Sequence, residues 1–582
     1  MANAIRQPMG INGSRAAACL DWLSVAVVWM LSAAALAAQP RLSKYWVEFS
    51  DKNGTPYCTC RPAEFLSARA LDRRAREGIA VDESDLPPTP RYLDSLRSCG
   101  ARIHNVSRWL NAAAVIADSA TASALKRFPF VKKVAYLGPD LRIKNPPNRP
   151  PKQRRYLSEV PRLNRGRYMA MGHAQAQNNQ LGLIPLYEAG FRGRGIWIAV
   201  LDGGFDNADA LNFFDSLDIG HRLIEGWDFV ERDGGVFESS SHGTAVLSVM
   251  GGNLPGYFVG SAPDATYFLL KTEDVGGEYP IEEANWVAGA EWADSIGADI
   301  INASLGYTHF NDTSLNHSYV TLDGRTAIAS RGAAIAARKG MLVFNSAGNS
   351  GSEPWRHIGV PADAPGLIAV GALTGSGRRA RFSSVGPSAD GRIKPDLMAP
   401  GDGIAVSGYS GFSKGTSSGT SLASPMLAGA VASLWGAYPD RPAREIIAAV
   451  YRSADRFARP NNLYGYGTPN MTQAWLELGA YASGQTLNNA RSGGLFAHRP
   501  DANELSLLLL PDAGRIPIDG SEFEIALYDL LGRRHEARIV KFGGGELLNL
   551  SLRLPEALPP GAYRLALQTS EGSIFFFTLL FS

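Results

Sequence analysis

The sequence predicts a doubly wound α/β domain, with an α+β unit before it and an all-β unit after it. Three observations carry this. Between residues 172 and 480, short apolar runs such as Ile196-Trp197-Ile198-Ala199-Val200-Leu201 recur, the mark of parallel strands buried on both faces. Segments of helical length lie between them. Glycine is abundant, with 62 in 582 residues, as many tight strand-to-helix turns require. Ligands of such domains bind outside the carboxyl ends of the strands, so polar residues there are the first candidates for chemistry.

A chain of 582 residues has room for about three or four domains. Hydrophobic content of 45% and charged content of 19% describe globular protein with large cores. A net charge of +2 gives no argument for a nucleic-acid partner. The four cysteines are Cys19, Cys58, Cys60 and Cys99, which excludes a disulfide framework and a cysteine-type zinc site. Cys58 and Cys60 are expected to be too close in sequence for an easy bridge; a bond of either to Cys99 stays open.

In chain order, residues 1–38 read as a signal peptide. Arg6 and Arg15 supply positive charge, residues 22–36 an uncharged apolar run, and Ala35-Leu36-Ala37-Ala38 a small-x-small cleavage pattern. That run is shorter than the roughly 20 residues of a membrane span, and no later run is long and apolar enough. The protein is therefore expected to be exported, with no transmembrane span in the mature chain. Residues 39–139 read as a small unit in the order β-α-α-β-β-α-β, close to a ferredoxin-like split βαβ arrangement. Its strands fall at 45–49, 101–106, 112–117 and 131–137, its helices at 62–76, 91–99 and 121–128. Residues 140–171 are rich in Pro, Asn and Arg and form an extended linker by composition. Their basic run is either solvated chain or a processing site. The α/β domain occupies residues 172–480, with strands at 196–201, 266–270, 300–303, 341–344 and 368–370. Its helices fall at 244–250, 281–296 and 326–339. After a linker at 481–500, runs at 504–510, 522–530, 547–554, 562–568 and 573–580 predict an antiparallel sandwich over 501–582.

Four polar sites flank the α/β strands. Asp202 ends the first buried strand. His242 opens a helix in Ser241-His242-Gly243-Thr244. Asn349 follows a strand in Ser346-Ala347-Gly348-Asn349. Ser421 stands in Gly419-Thr420-Ser421-Leu422-Ala423-Ser424-Pro425, at the start of an apolar helix for which Thr420 is the expected N-cap. Pro425 lacks the N–H that would bond the Ser421 carbonyl. Singly, each residue has a bland reading as a turn former or surface group. Together they supply a nucleophile, a base, an orienting carboxylate and an amide donor. A serine hydroxyl needs a base within hydrogen-bond reach. Histidine titrates near neutral pH, and a buried carboxylate fixes its tautomer. The Ser421 N–H and the Asn349 amide would hold a developing oxyanion.

On these residues, residues 172–479 resemble the subtilisin-like serine proteases, or subtilases. The strand ending in Asp202, His242-Gly243-Thr244, Gly419 to Pro425 and the Asn349 motif all match, in the family's order Asp, His, Ser. The resemblance implies a secreted endopeptidase made as a zymogen, with Asp202, His242 and Ser421 catalytic and Asn349 in the oxyanion hole. It implies that Ser304, Leu305 and Gly306 form a strand edge that pairs with extended protein or peptide substrates. Ser346, Ala347 and Gly348 would form the opposite wall of the specificity pocket. No cofactor is required for the chemistry. Calcium is a common structural ion in the family; Asp206, Asp209, Asp215 and Asp218 are candidate ligands, although a solvated acidic surface fits their spacing better.

Residues 40–139 resemble the family's inhibitory propeptide, which makes the chain its own intramolecular partner. The C-terminal unit resembles the sorting domain read by bacterial type IX secretion machinery, on residues 525–533 and 558–565; a carbohydrate-binding β-domain is the alternative. Two departures stand out. Gly203 replaces the Thr or Ser that most members have after the Asp. The segment 307–330, with His309, His317 and Asp323, is longer than in small members and is expected as a solvated insertion. The rival reading from another class is a catalytically inactive scaffold used for surface binding; an esterase ranks lower, since the Gly-x-Ser-x-Gly elbow is absent.

Overall fold

The computed structural model describes residues 41–141, 171–407, 414–482 and seven strands between residues 495 and 581. The expected signal peptide and most of both expected linkers lie outside the described residues.

The N-terminal unit runs β1 (Ser43–Phe49), α1 (Ala68–Glu77), α2 (Pro90–Ser98), β2 (Arg102–Ser107), β3 (Ala112–Ala117), α3 (Ser119–Leu125) and β4 (Val131–Pro139). Its sheet has the order β2-β3-β1-β4 with all neighbours antiparallel. The helix expected at 62–76 is broken in two, because Ser67 leaves the helix and its hydroxyl accepts from the Ala70 N–H to cap α1. Gly78, at φ 68°, closes the other end. One face of the sheet buries Val47, Phe49 and Val115 under Tyr92, Leu96 and Leu125. The other face places Trp46, Ala112 and Ala114 in the core of the next unit. That explains the unbroken apolar run of β3: both its faces are covered. The cysteine expectation is overturned: Cys58 and Cys60 are bridged to each other, and Cys99 is free and exposed. A turn holds their Cα atoms 5.2 Å apart, inside the range a disulfide needs.

The α/β unit is built on β5 (Trp197–Asp202), β6 (Leu223–Asp228), α4 (His242–Gly251), β7 (Thr266–Lys271), α5 (Ile281–Ile296), β8 (Ile300–Ala303), α6 (Ile328–Arg338), β9 (Leu342–Ser346), β10 (Ile368–Leu373) and β11 (Leu397–Pro400). These seven strands form one sheet, order β11-β10-β9-β8-β5-β7-β6, parallel throughout. The two edge strands, β6 and β11, have no expected counterpart. Leu223–Asp228 carries Glu225 and Gly226 and lacks the apolar run by which the central strands are read. A hairpin of β12 (Ile404–Ser407) and β13 (Lys414–Ser417) leads into α7 (Thr420–Gly436), followed by α8 (Ala443–Arg452) and α9 (Met471–Ala482).

Residues of β5 alternate between two cores. Ile198 and Val200 pack with α4 and α7, while Ala199 and Leu201 pack with α5 and α6. α7 sits in the first core with no exposed face but its ends, as its apolar sequence requires. A Cβ on Gly429 would lie 2.0 Å from Ser261 Oγ, so only glycine lets α7 come this close. The segment 307–330 departs from its expectation. Tyr307, Phe310 and Leu322 are buried, and His317 Nε2 lies 2.7 Å from Glu283 Oε1 on α5. Asp323 accepts from the N–H groups of Arg325 and Thr326 just before α6. The insertion is packed because its aromatic and aliphatic residues face the second core.

In the C-terminal unit, β14 (Leu495–Asp501), β15 (Glu504–Leu509), β16 (Glu522–Asp529), β17 (Arg534–Lys541), β18 (Leu548–Arg553), β19 (Gly561–Thr569) and β20 (Ile574–Phe581) form two antiparallel sheets. Their orders are β14-β15-β18 and β17-β16-β19-β20.

Candidate active site

The carboxyl ends of β5, β8 and β9 are level, since Ala303 is in register with both Leu201 and Asn345. Asp202 ends β5 and is 1% exposed. Its Oδ1 accepts from the Gly203 N–H at 2.8 Å. His242 is the first residue of α4, and its Nδ1 lies 2.9 Å and 3.0 Å from the two carboxylate oxygens of Asp202. With Nδ1–H donating to Asp202, the other ring nitrogen is left as a base. The Asp202 charge raises the His242 pKa above its ordinary 6.5 against the opposing effect of burial. A Cβ on Gly203 would lie 3.3 Å from Val275 Cγ1, closer than ordinary contact, so a side chain there would require Val275 to give way.

At the start of α7, Gly419 is the N-cap, and Thr420 is the first helical residue. The expected cap is therefore displaced by one residue. Thr420 is held elsewhere: its N–H and its hydroxyl both donate to Asn349 Oδ1 at 2.9 Å, and its hydroxyl accepts from the Gly348 N–H at 3.1 Å. With its oxygen so engaged, the Asn349 amide presents its nitrogen. A Cβ on Gly419 would lie 2.8 Å from Ser421 Oγ and 3.8 Å from Asn349 Nδ2, so hydroxyl and amide flank one small open space. The carbonyl of Ser421, deprived of a helical partner by Pro425, accepts from Ser304 Oγ at 2.7 Å. Asn302 closes the set. Its Nδ2 donates to Ser304 Oγ at 3.2 Å, and its Oδ1 accepts from Ser424 Oγ at 2.8 Å.

The two expected walls meet. The Leu305 carbonyl accepts from Asn345 Nδ2 at 2.9 Å and from Ser346 Oγ at 3.1 Å. Ser346 and Ala347 are buried, and Gly306 is exposed. Gly348 takes φ 105°, and a Cβ on it would meet Ser384 Oγ at 2.9 Å. Ser304 differs from its expected place in one respect: its side chain points under Ser421 and not into a substrate path.

A model of the subtilase family, peptidase S8, matches residues 193–467, and a model of a peptidase S8 propeptide domain of Bacteroidota matches residues 44–154. Subtilisin DY of Bacillus licheniformis is 31% identical over 303 residues, which are 50% of this chain and 97% of that protein. Subtilisin NAT of Bacillus subtilis subsp. natto is 30% identical over 353 residues, 60% of this chain and 76% of that protein. The chain belongs to the subtilase family. It is a subtilisin-like serine peptidase on a subtilisin-like parallel α/β sheet, with the propeptide domain of a zymogen.

In this subtilase, one group beside the Asp202–His242 pair has no counterpart among the expected residues. Glu273 follows β7 and accepts from the Tyr307 hydroxyl at 2.5 Å. Burial pushes its carboxyl up to about 8, and Asp202 remains the largest influence on His242. The rule that singles out Asp202, a polar residue at a strand's carboxyl end, applies equally to β7 and would have found it. Glu273, Glu278 and Glu282 form the one group, among the described residues, whose ligand atoms lie within 4.8 Å of one another. Glu282 already accepts from the N–H groups of Asp274 and Tyr279, at 2.9 Å and 3.1 Å, and burial pushes its carboxyl up to about 11. Two of the three carboxylates, Glu273 and Glu282, are thus already engaged by hydrogen bonds within the chain. Asp206, Asp209, Asp215 and Asp218 form no such group among the described residues.

Proposed function

We propose that this subtilase is a secreted serine endopeptidase that acts through Ser421, His242 and Asp202. The observation that carries the reading is the bidentate approach of the Asp202 carboxylate to His242 Nδ1 at 2.9 Å and 3.0 Å. His242 Nε2 takes the proton of Ser421 Oγ as that oxygen attacks the scissile carbonyl. The Asn349 amide and the Ser421 N–H at the start of α7 receive the oxyanion. The protonated imidazole gives its proton to the leaving amine, and water then hydrolyses the acyl-enzyme by the same route in reverse. These steps use only groups of the chain itself. An extended peptide lies along residues 304–306, and the wall at 346–348 receives one of its side chains.

The remaining readings stand on sequence and topology. Residues 1–38 direct export. Residues 39–139 are a ferredoxin-like propeptide that blocks the cleft until the linker at 140–171 is cut. Residues 501–582 are a sandwich serving type IX sorting. A fluorophosphonate probe tests the central claim: purified, processed protein is labelled, and Ser421→Ala is not. Absence of labelling in the unaltered protein would leave an inactive binding scaffold as the function.

A further inference from the structure

The sheet order decides which way the side chains of a bound peptide face. The edge 304–306 continues from β8. β9, which leads into the wall at 346–348, lies on one side of β8, and β5 and β7 lie on the other. Successive side chains of an extended peptide point to opposite sides. With the residue whose carbonyl is attacked held at 346–348, the residue before it faces the ends of β5 and β7.

A notch beside an acid stands there. The place of the missing Cβ of Gly203 lies 3.3 Å from Val275 Cγ1 and 3.5 Å from both Glu273 Cβ and Ser240 Cβ. Ser240 Oγ accepts from the His242 N–H at 3.1 Å, so the notch adjoins the candidate base. Val275 is 63% exposed, which leaves the rim open to solvent. Glu273 joins the notch to the peptide edge, because Tyr307, whose hydroxyl donates to its Oε1, follows Gly306 directly. The Thr272 hydroxyl donates to the same oxygen, and Glu273 Oε2 has no hydrogen-bond partner among the described residues. Negative charge accumulates around it. The carboxylates of Glu273, Glu278 and Glu282 approach within 4.8 Å of one another, and the Thr272 N–H ties this corner to the Asp202 carbonyl at 3.0 Å. The lysine at the end of β7 does not balance them, since Lys271 pairs with Asp228 at 2.9 Å. Where the N-terminal unit lies against the rim, it brings a cation: buried Lys44 of β1 stands 3.9 Å from Asp274 Oδ2. Burial, Glu278 and Asp202 all raise the Glu273 carboxyl, and an opposite charge beside it would favour the carboxylate instead.

We propose that the notch formed by Gly203, Val275 and Glu273 selects a basic residue, lysine or arginine, immediately before the residue whose carbonyl is attacked. This rests on reading the chain as an endopeptidase and names the class of peptide it cuts. The missing Cβ of Gly203 leaves room for the methylene stem, and Val275 covers the stem. Glu273 receives the cation in a charge-assisted hydrogen bond through the oxygen that Tyr307 leaves open. The substrate thereby supplies the positive charge that the fold itself does not place at Glu273.

Peptides that differ only at this position test it on the processed protein, built on one sequence that a peptide-library digest has shown to be cut. The lysine peptide is expected to have a kcat/KM about 10–100 times that of its norleucine counterpart, with arginine in place of lysine giving the same preference. A glutamate peptide, with the wrong charge, is expected to be cut more slowly than the norleucine one. In Glu273→Gln, which keeps an acceptor for Tyr307, the lysine-to-norleucine ratio is expected to fall to about 3 or below. Equal cleavage of the lysine and norleucine peptides by the unaltered protein would overturn the proposal, and that comparison needs no variant to fold. So would a ratio that Glu273→Gln leaves in place. A protein that takes no fluorophosphonate label would overturn the endopeptidase reading and this one with it. A labelled protein that cuts both peptides alike overturns this one alone.

Discussion

Ser421 depends on neighbours that hold it without reacting. The proline four residues on frees its carbonyl, and Ser304 fills the gap from the end of β8, steadied by Asn302. The proposed mechanism places Asn349 at the oxyanion and gives Ser304 only a positioning part, through the Ser421 carbonyl. Asn349→Ala should therefore lower kcat about 100-fold or more with little change in KM. Ser304→Ala should lower kcat less, about tenfold, because the helix start loses one hydrogen bond and keeps the rest. Steady-state kinetics on one peptide substrate separates the two; equal losses would contradict this division of roles. His242 gives a pH prediction. Its pKa is raised chiefly by Asp202, and catalysis needs the neutral ring, so activity should rise with pH through a value above 6.5. In Asp202→Asn the raising charge is gone while burial remains, so that limb should move to lower pH and kcat should fall by about 10⁴. An unmoved limb would mean that another group titrates. The charged ring, in turn, contributes stability below about pH 6.5 that is lost as pH rises through the raised value.

At the scale of elements, the site is accurate because the helices that carry it are pressed against the sheet by small residues. α7 bears Ser421 and is seated by Gly429 against Ser261 and Met250. Gly429→Val should overpack that contact by about 1–3 kcal/mol and lower the melting temperature by roughly 2–10 °C, read by calorimetry. An unchanged melt would show that α7 is free to shift. The central strands and α5 were legible as apolar runs and a sixteen-residue helical pattern, and α5 falls at Ile281–Ile296 as expected. The edge strands β6 and β11 are not, because Leu223–Asp228 carries Glu225 and Gly226 in place of an apolar run, and Leu397–Pro400, though apolar and buried, has only four residues and ends in proline. The sequence predicts one helix over 62–76 because its composition is helical throughout. Only the contact of Ser67, whose N–H donates to the Ser295 carbonyl at 2.9 Å, shows why it breaks there.

Across the whole molecule, the N-terminal unit and the α/β unit share one core and one buried ionic network. Burial alone would raise the Asp294 pKa, but Arg73, Arg108 and Arg74 together hold it below its ordinary 3.8. The stability it contributes is present above that ordinary value and is lost only as pH falls through the lower one. Glu291, which burial pushes upward, is protonated earlier and gains stability on the way down. Asp294→Asn in the full-length chain should therefore lower the melting temperature at pH 7, read by calorimetry, because it leaves three buried arginines without their counter-charge. An unchanged melt would show that Asp294 is not the group that holds the two units together. The sequence by itself determined the fold class, the order Asp202, His242, Asn349, Ser421 and the family, because each rests on local pattern: a buried run, a strand end, a helix start. The tertiary structure alone decided what those residues lean on. The partner of the Ser421 carbonyl is 117 residues away, and the arginines of α1 meet Asp294 more than 200 residues on. Glu273, the Cys58–Cys60 bridge and the packed insertion belong with them, since buried charge, close approach and burial are properties of neighbours in space, which no spacing along the chain records.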